Sequence, residues 1–65
     1  MKHEFEMDTP FGSVKASWQR KGSNIVVRYG SYERSAQASE VDAANLFVAR
    51  DIVRGWIADD MRKDL

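Results

Sequence analysis

The 65-residue chain contains no cysteine, one histidine and one proline. Without cysteine, disulfides are impossible and a zinc ribbon or finger is excluded. With His3 as the sole imidazole, a histidine-based triad has one candidate base and no marked nucleophile. A metal site would have to join His3 to Glu4 or Glu6, a weak and irregular set. Excess charge is also missing, since ten basic residues face ten acidic ones. A general polyanion binder should be clearly basic. No run approaches the roughly 20 apolar residues of a membrane span. The opening Met-Lys-His-Glu-Phe-Glu alternates and is charged, unlike a signal peptide. Repeats, linkers and low-complexity tracts are absent.

These absences predict one small soluble domain over residues 1–65, cytoplasmic and without metal or cofactor. A chain of this size hides only about 60% of its unfolded surface. With neither disulfide nor metal, close packing or self-association must supply the stability.

The most organised stretch is the C-terminal third. Ser39 suits an N-cap, with Asp42 three residues on. Glu40 and Asp42 lie at the positive end of the expected helix dipole, Arg62 and Lys63 at the negative end. These signals predict a helix from about 40 to 63. At about 100° per residue, Val41, Val48, Ile52 and Trp56 form one stripe, flanked by Ala44, Ala49 and Val53. This stripe is expected to face a sheet. A second stripe runs through Ala43, Phe47, Ile57, Met61 and Leu65, interrupted by Arg50 and Arg54. A helix apolar on two sides has two neighbours: either the sheet is wide enough for both, or a second chain covers one. Gly55 in the helix interior costs about 1 kcal/mol relative to Ala. It marks either a kink or a close approach of backbone.

Residues 2–8 alternate, with His3, Phe5 and Met7 on one side and Lys2, Glu4, Glu6 and Asp8 on the other, predicting a strand near 3–8. Thr9-Pro10-Phe11-Gly12 suits a type I turn. Val14, Ala16 and Trp18 form the apolar set of a strand over 13–20. Gly22-Ser23 and Gly30-Ser31 suit type II′ hairpins, bounding a strand over 24–29 with Ile25, Val27 and Tyr29 on one side. Residues 32–38 are poor in strand formers, so three or four strands fit. Two-residue turns place Trp18 opposite Val27, Tyr29 opposite Tyr32 and Ile25 opposite Ala36. If Asp8 pairs with Ser13, Phe5 faces Ala16 and Met7 faces Val14. All these pairs share one sidedness, as cross-strand pairing requires. Arg34 alone falls on the apolar side, where it can snorkel past the sheet edge.

The fold expected is therefore α+β: an antiparallel β-meander of three to four strands packed on one C-terminal helix. The expected core is Phe5, Met7, Val14, Ala16, Trp18, Ile25, Val27, Tyr29, Val48, Ile52 and Trp56.

Chemistry-bearing patterns are weak. The Gly-Ser pairs belong to hairpins, and no phosphate loop is present. Ser31 lacks the second glycine of a nucleophile elbow. Asp59 and Asp60, about 100° apart on a helix, do not share a face. The sequence thus predicts no enzyme but a protein-interaction or structural module, pairing with itself or with another protein. The expected homodimer contact is Phe47, Arg50, Arg54, Met61 and Leu65. Asp51, Asp59 and Asp60 of a second copy would neutralise the two arginines.

Nucleic acid, as single-stranded or arm-type DNA bound through the basic residues of the sheet, is the alternative partner. Residues 13–34 carry Lys15, Arg20, Lys21, Arg28 and Arg34 against Glu33 alone. Lys15, Arg20, Lys21 and Arg28 are then the candidate contacts. Single-strand binders, however, stack bases on exposed aromatics in a basic groove. Here Trp18, Tyr29 and Tyr32 are assigned to the core, leaving Phe11 at a turn tip.

Overall fold

A computed structural model describes residues 2–10 and 12–63; Phe11 and Leu65 fall outside them. Four strands precede one helix: β1 Lys2–Thr9, β2 Gly12–Lys21, β3 Asn24–Tyr29, β4 Tyr32–Gln37 and α1 Asp42–Lys63. The strands form one antiparallel sheet in the order β1-β2-β3-β4, and α1 lies across β2 and β3. This is the two-layer α+β meander expected, with four strands.

Hairpin chemistry fixes the sheet. Gly22 and Gly30 have φ of 61° and 57°, while no described non-glycine residue has positive φ. One positive φ followed by an ordinary serine fits the type II′ turn rather than type I′. The resulting register pairs Trp18 with Val27, Ile25 with Ala36 and Tyr29 with Tyr32. Asp8 pairs with Ser13, Phe5 with Ala16 and Met7 with Val14. Arg34 lies opposite Val27 as expected, and is exposed on edge strand β4.

Met7, Ala16, Trp18, Ile25, Val27, Ala49 and Val53 form the buried core. Phe5, Val14, Tyr29, Ile52 and Trp56 pack against it, half-buried. Of the expected core only Val48 is misplaced, since it is exposed. The helix is turned relative to its expected stripe. Asn45, Ala49 and Val53 face the sheet in place of Val41 and Val48.

The junction between β4 and α1 explains the turn. The Ser39 N–H donates to Asn45 Oδ1 at 2.6 Å, and Asn45 Nδ2 donates back to the Ser39 carbonyl at 3.0 Å. Arg20 Nη1 donates to that same carbonyl at 2.9 Å. An amide with a backbone-like donor and acceptor thus closes the end of the sheet layer. An unpaired buried polar group costs about 1–3 kcal/mol, so this pairing holds Asn45 inward and sets the rotation of the helix. The first helical bond runs from the Asn45 N–H to the Val41 carbonyl. Val41 therefore occupies the cap position and α1 starts at Asp42, later than expected. Ser39 does not cap; its Oγ accepts from the Val41 N–H at 3.2 Å in a short turn ahead of the helix.

Candidate interaction surface

Two aromatic contacts show which side chains are occupied internally. His3 lies flat on Trp18, its cross-strand neighbour, with ring centroids 4.3 Å apart. Tyr29, Tyr32 and Trp56 form a stacked row from the sheet to the helix. The Tyr32 hydroxyl donates to Asp60 Oδ1 at 2.6 Å. Trp18 is buried, and both tyrosines are half-buried on the helix side. Among the described residues no cluster of three or more His, Asp or Glu side chains is arranged to hold a metal ion. No described helix is long and apolar enough to cross a membrane.

The four basic candidates separate. Lys15, Lys21 and Arg28 lie on the open face of the sheet, where strand alternation puts them. Arg20 does not join them. It alternates onto the helix side, where it bonds the Ser39 carbonyl and, through Nε at 3.4 Å, the Gly22 carbonyl. Two of the three candidate bases on the open face are partly neutralised. Lys15 stands opposite Glu6, and Arg28 Nη2 reaches Glu33 at 3.4 Å. No described aromatic side chain lies on that face.

The helix offers more. Its outward side carries Val41, Phe47 and Val48, exposed to 60%, 71% and 37%. Ala44, Gly55 and Ala58 are exposed along the same helix. Val41, Ala44, Val48, Asp51, Gly55 and Ala58 follow alternating steps of three and four, the spacing of a helix–helix seam. A Cβ placed on Gly55 would meet open space. Nothing among the described residues therefore requires a glycine there.

The expected dimer residues divide between this side and the flank next to β1. Phe47, Arg50 and Arg54 are exposed, and Met61 is half-buried. Leu65 lies outside the described residues. Arg54 Nη1 reaches Asp51 of its own helix at 3.3 Å, and Asp60 holds Tyr32. The acids expected to come from a second copy, Asp59 included, thus have partners already. The outward roles of Val41 and Val48 were hidden because both belong to the strongest apolar stripe. Asn45, Ile52 and Trp56 of that stripe do face the sheet, and only its border with Val41 and Val48 is turned outward. Comparisons of the chain with known protein families, with curated proteins and with solved structures return no match.

Proposed function

We propose that this chain is a small non-enzymatic protein-interaction module that pairs with a second copy of itself through the outward side of α1. The observation that carries the reading is the exposure of Phe47, Val41 and Val48 on a helix whose other side is already packed. Isolated exposed apolar residues are ordinary, but Val41 and Val48 share a seam with Gly55, and Phe47 stands about 100° round the helix from Val48. In a two-fold antiparallel pairing centred near Asp51, Val48 of one helix meets Gly55 of the other, and Ala44 meets Ala58. The missing Cβ allows the two backbones to approach closely there. Asp51 of each copy then faces the other across the axis, and Arg54, already in contact with Asp51 of its own helix, has to neutralise that pair. A contact through one helix is smaller than a standard interface, so micromolar association is expected. A reducing, cytoplasmic setting suits a chain without cysteine.

Light scattering on a size-exclusion column tests this from low micromolar to about 1 mM protein. The mass should rise from 7.4 kDa towards twice that value. Phe47→Glu and Val48→Glu should hold it at the monomer, and Lys15→Glu on the open sheet face should not. A constant monomer mass at every concentration would reject self-association.

A further inference from the structure

β1 is an edge strand: β2 pairs along one side of it, and no described strand pairs along the other. The helix runs beside that free edge without covering it. A cleft of about 370 Å³ lies between residues 6–10 and the flank of α1 bearing Arg50, Arg54, Ile57 and Met61. A separate hollow of about 260 Å³ lies beside residues 3–5, walled by Trp18, Asp42, Ala43 and Leu46. They share no lining residue, but each has β1 on one wall and α1 on the other, so that together they flank the strand as an interrupted groove. We infer that this groove binds an extended segment of another protein as a fifth strand, with lysines or arginines facing outward and an acidic residue among apolar ones facing the helix.

Strand geometry and charge together select that occupant. An added strand draws affinity from main-chain hydrogen bonds and specificity from alternate side chains. On the open face its side chains would stand beside Lys2, Glu4, Glu6 and Asp8; Lys15 faces Glu6 from β2, but the three acids outnumber the one lysine of this strand and favour basic residues opposite them. On the helix side they would continue the apolar row of Phe5 and Met7, beneath Ile57 and Met61. Arg50 has no ion-pair or hydrogen-bond partner among the described residues, and Arg54 has only its surface contact with Asp51. A carboxylate on the inward side of the segment gives these guanidinium groups a charge-assisted partner.

A second copy of β1 is the wrong occupant. Two-fold antiparallel pairing must keep His3, Phe5 and Met7 on the helix side. In each such register that joins more than half the strand, one of Glu4, Glu6 and Asp8 stands directly opposite another acid. Like charges directly opposite are destabilising, and charged side chains are a common guard on free edges. This proposal rests on the reading of the chain as a protein-binding module but uses a different surface from the helix dimer.

The test is made on the Val48→Glu variant, so that helix pairing does not confound it. The probe is a capped nine-residue peptide alternating lysine with valine, its central valine replaced by glutamate. Two controls have the same length: the peptide with every charge reversed, and the same composition with alternation scrambled. Titration followed by amide NMR should show saturable binding of the first peptide, with exchange protection gained in β1. Affinity should fall at least tenfold for both controls and for the doubly substituted Arg50→Glu, Arg54→Glu chain. Equal binding of the scrambled peptide would reduce the effect to net charge and overturn the proposal. So would protection gained in β4 instead, the absence of binding by any peptide, or β1 protection that grows with protein concentration alone. The last result would identify a second copy as the occupant. Because the variant removes helix pairing, failure here leaves the self-association result standing, and the reverse also holds.

Discussion

On the side of α1 that meets the sheet, Asn45, Ala49 and Val53 are almost completely buried, with a polar amide first among them. On the opposite side Phe47, the largest apolar residue in the first half of the helix, is mostly in solvent. Ranking by hydrophobicity alone would exchange the two. The difference teaches that the rotation of this helix is decided at its start. Two hydrogen bonds between Asn45 and the Ser39 backbone fix the first turn, and every later residue follows at about 100° per step. Apolar residues are spread round the helix rather than gathered on one side, so no steep preference opposes that choice. What is left outside is an apolar seam, the surface that the proposed pairing uses.

The largest effect should come from removing the element that sets the rotation. Asn45→Leu leaves the Ser39 N–H without its acceptor in a half-buried place, while Arg20 still serves the carbonyl. A loss of about 3 kcal/mol is expected in urea unfolding. Exchange protection should also redistribute along α1, as the helix becomes free to turn Val41 and Val48 inward. A loss below about 1 kcal/mol with unchanged protection would mean that apolar contacts alone hold the rotation.

The next pair of variants compares the two sides directly. Val53→Ala removes buried methyl groups between the helix and the sheet, at a cost of about 2 kcal/mol. Phe47→Ala deletes a larger side chain, yet should change monomer stability by less than about 0.5 kcal/mol. The same substitution should nevertheless weaken self-association at high protein concentration. Equal costs for the two variants in dilute solution would show that Phe47 is packed within the monomer, and would remove the contrast.

Much of this architecture is legible in the residues. The sheet register follows from three short turns, because a two-residue loop fixes which residues face each other and period-two alternation does the rest. Val14, Ala16 and Trp18 could not have been assigned otherwise without exposing all three. The helix face was not legible in the same way. Its stripes differ little in apolar content, and the deciding contact joins Asn45 to a backbone six residues earlier. Side-chain periodicity carries no record of such a bond. Arg20 illustrates the same limit: its charge suggested the open sheet face, while strand alternation and a bare carbonyl at Ser39 took it to the other. The groove beside β1 was hidden for a third reason. Strand order decides which edges are free, and Arg50 and Arg54 acquire a meaning only when the helix is seen to stand beside one.

A smaller effect tests the contact at the far end of the helix. Tyr32→Phe deletes the hydroxyl bonded to Asp60 but keeps the ring stacked on Trp56. A loss of about 1 kcal/mol is expected, with the stack preserved in near-ultraviolet circular dichroism. Loss of that signal as well would mean that the hydrogen bond, not stacking, positions the ring.

The smallest change is the most discriminating, because the two sides of α1 give it opposite signs. Gly55 lies in the helix interior with open space where a Cβ would stand, and its φ is not positive. Within the monomer, Gly55→Ala therefore adds helix propensity and meets no clash. Stability should rise by up to about 1 kcal/mol, which raises Tm by about 5 °C for a domain of this size. In the proposed pair the same methyl occupies the space into which Val48 of the second copy fits. Self-association should then weaken, so the concentration at which the mass rises moves upward while the dilute protein becomes harder to unfold. Gains in both measurements would show that the helix packs against no partner at Gly55. Losses in both would show a strain in the monomer that the open surroundings of this residue do not predict. Only opposite signs fit a glycine retained at its own helix's expense for the close approach of another.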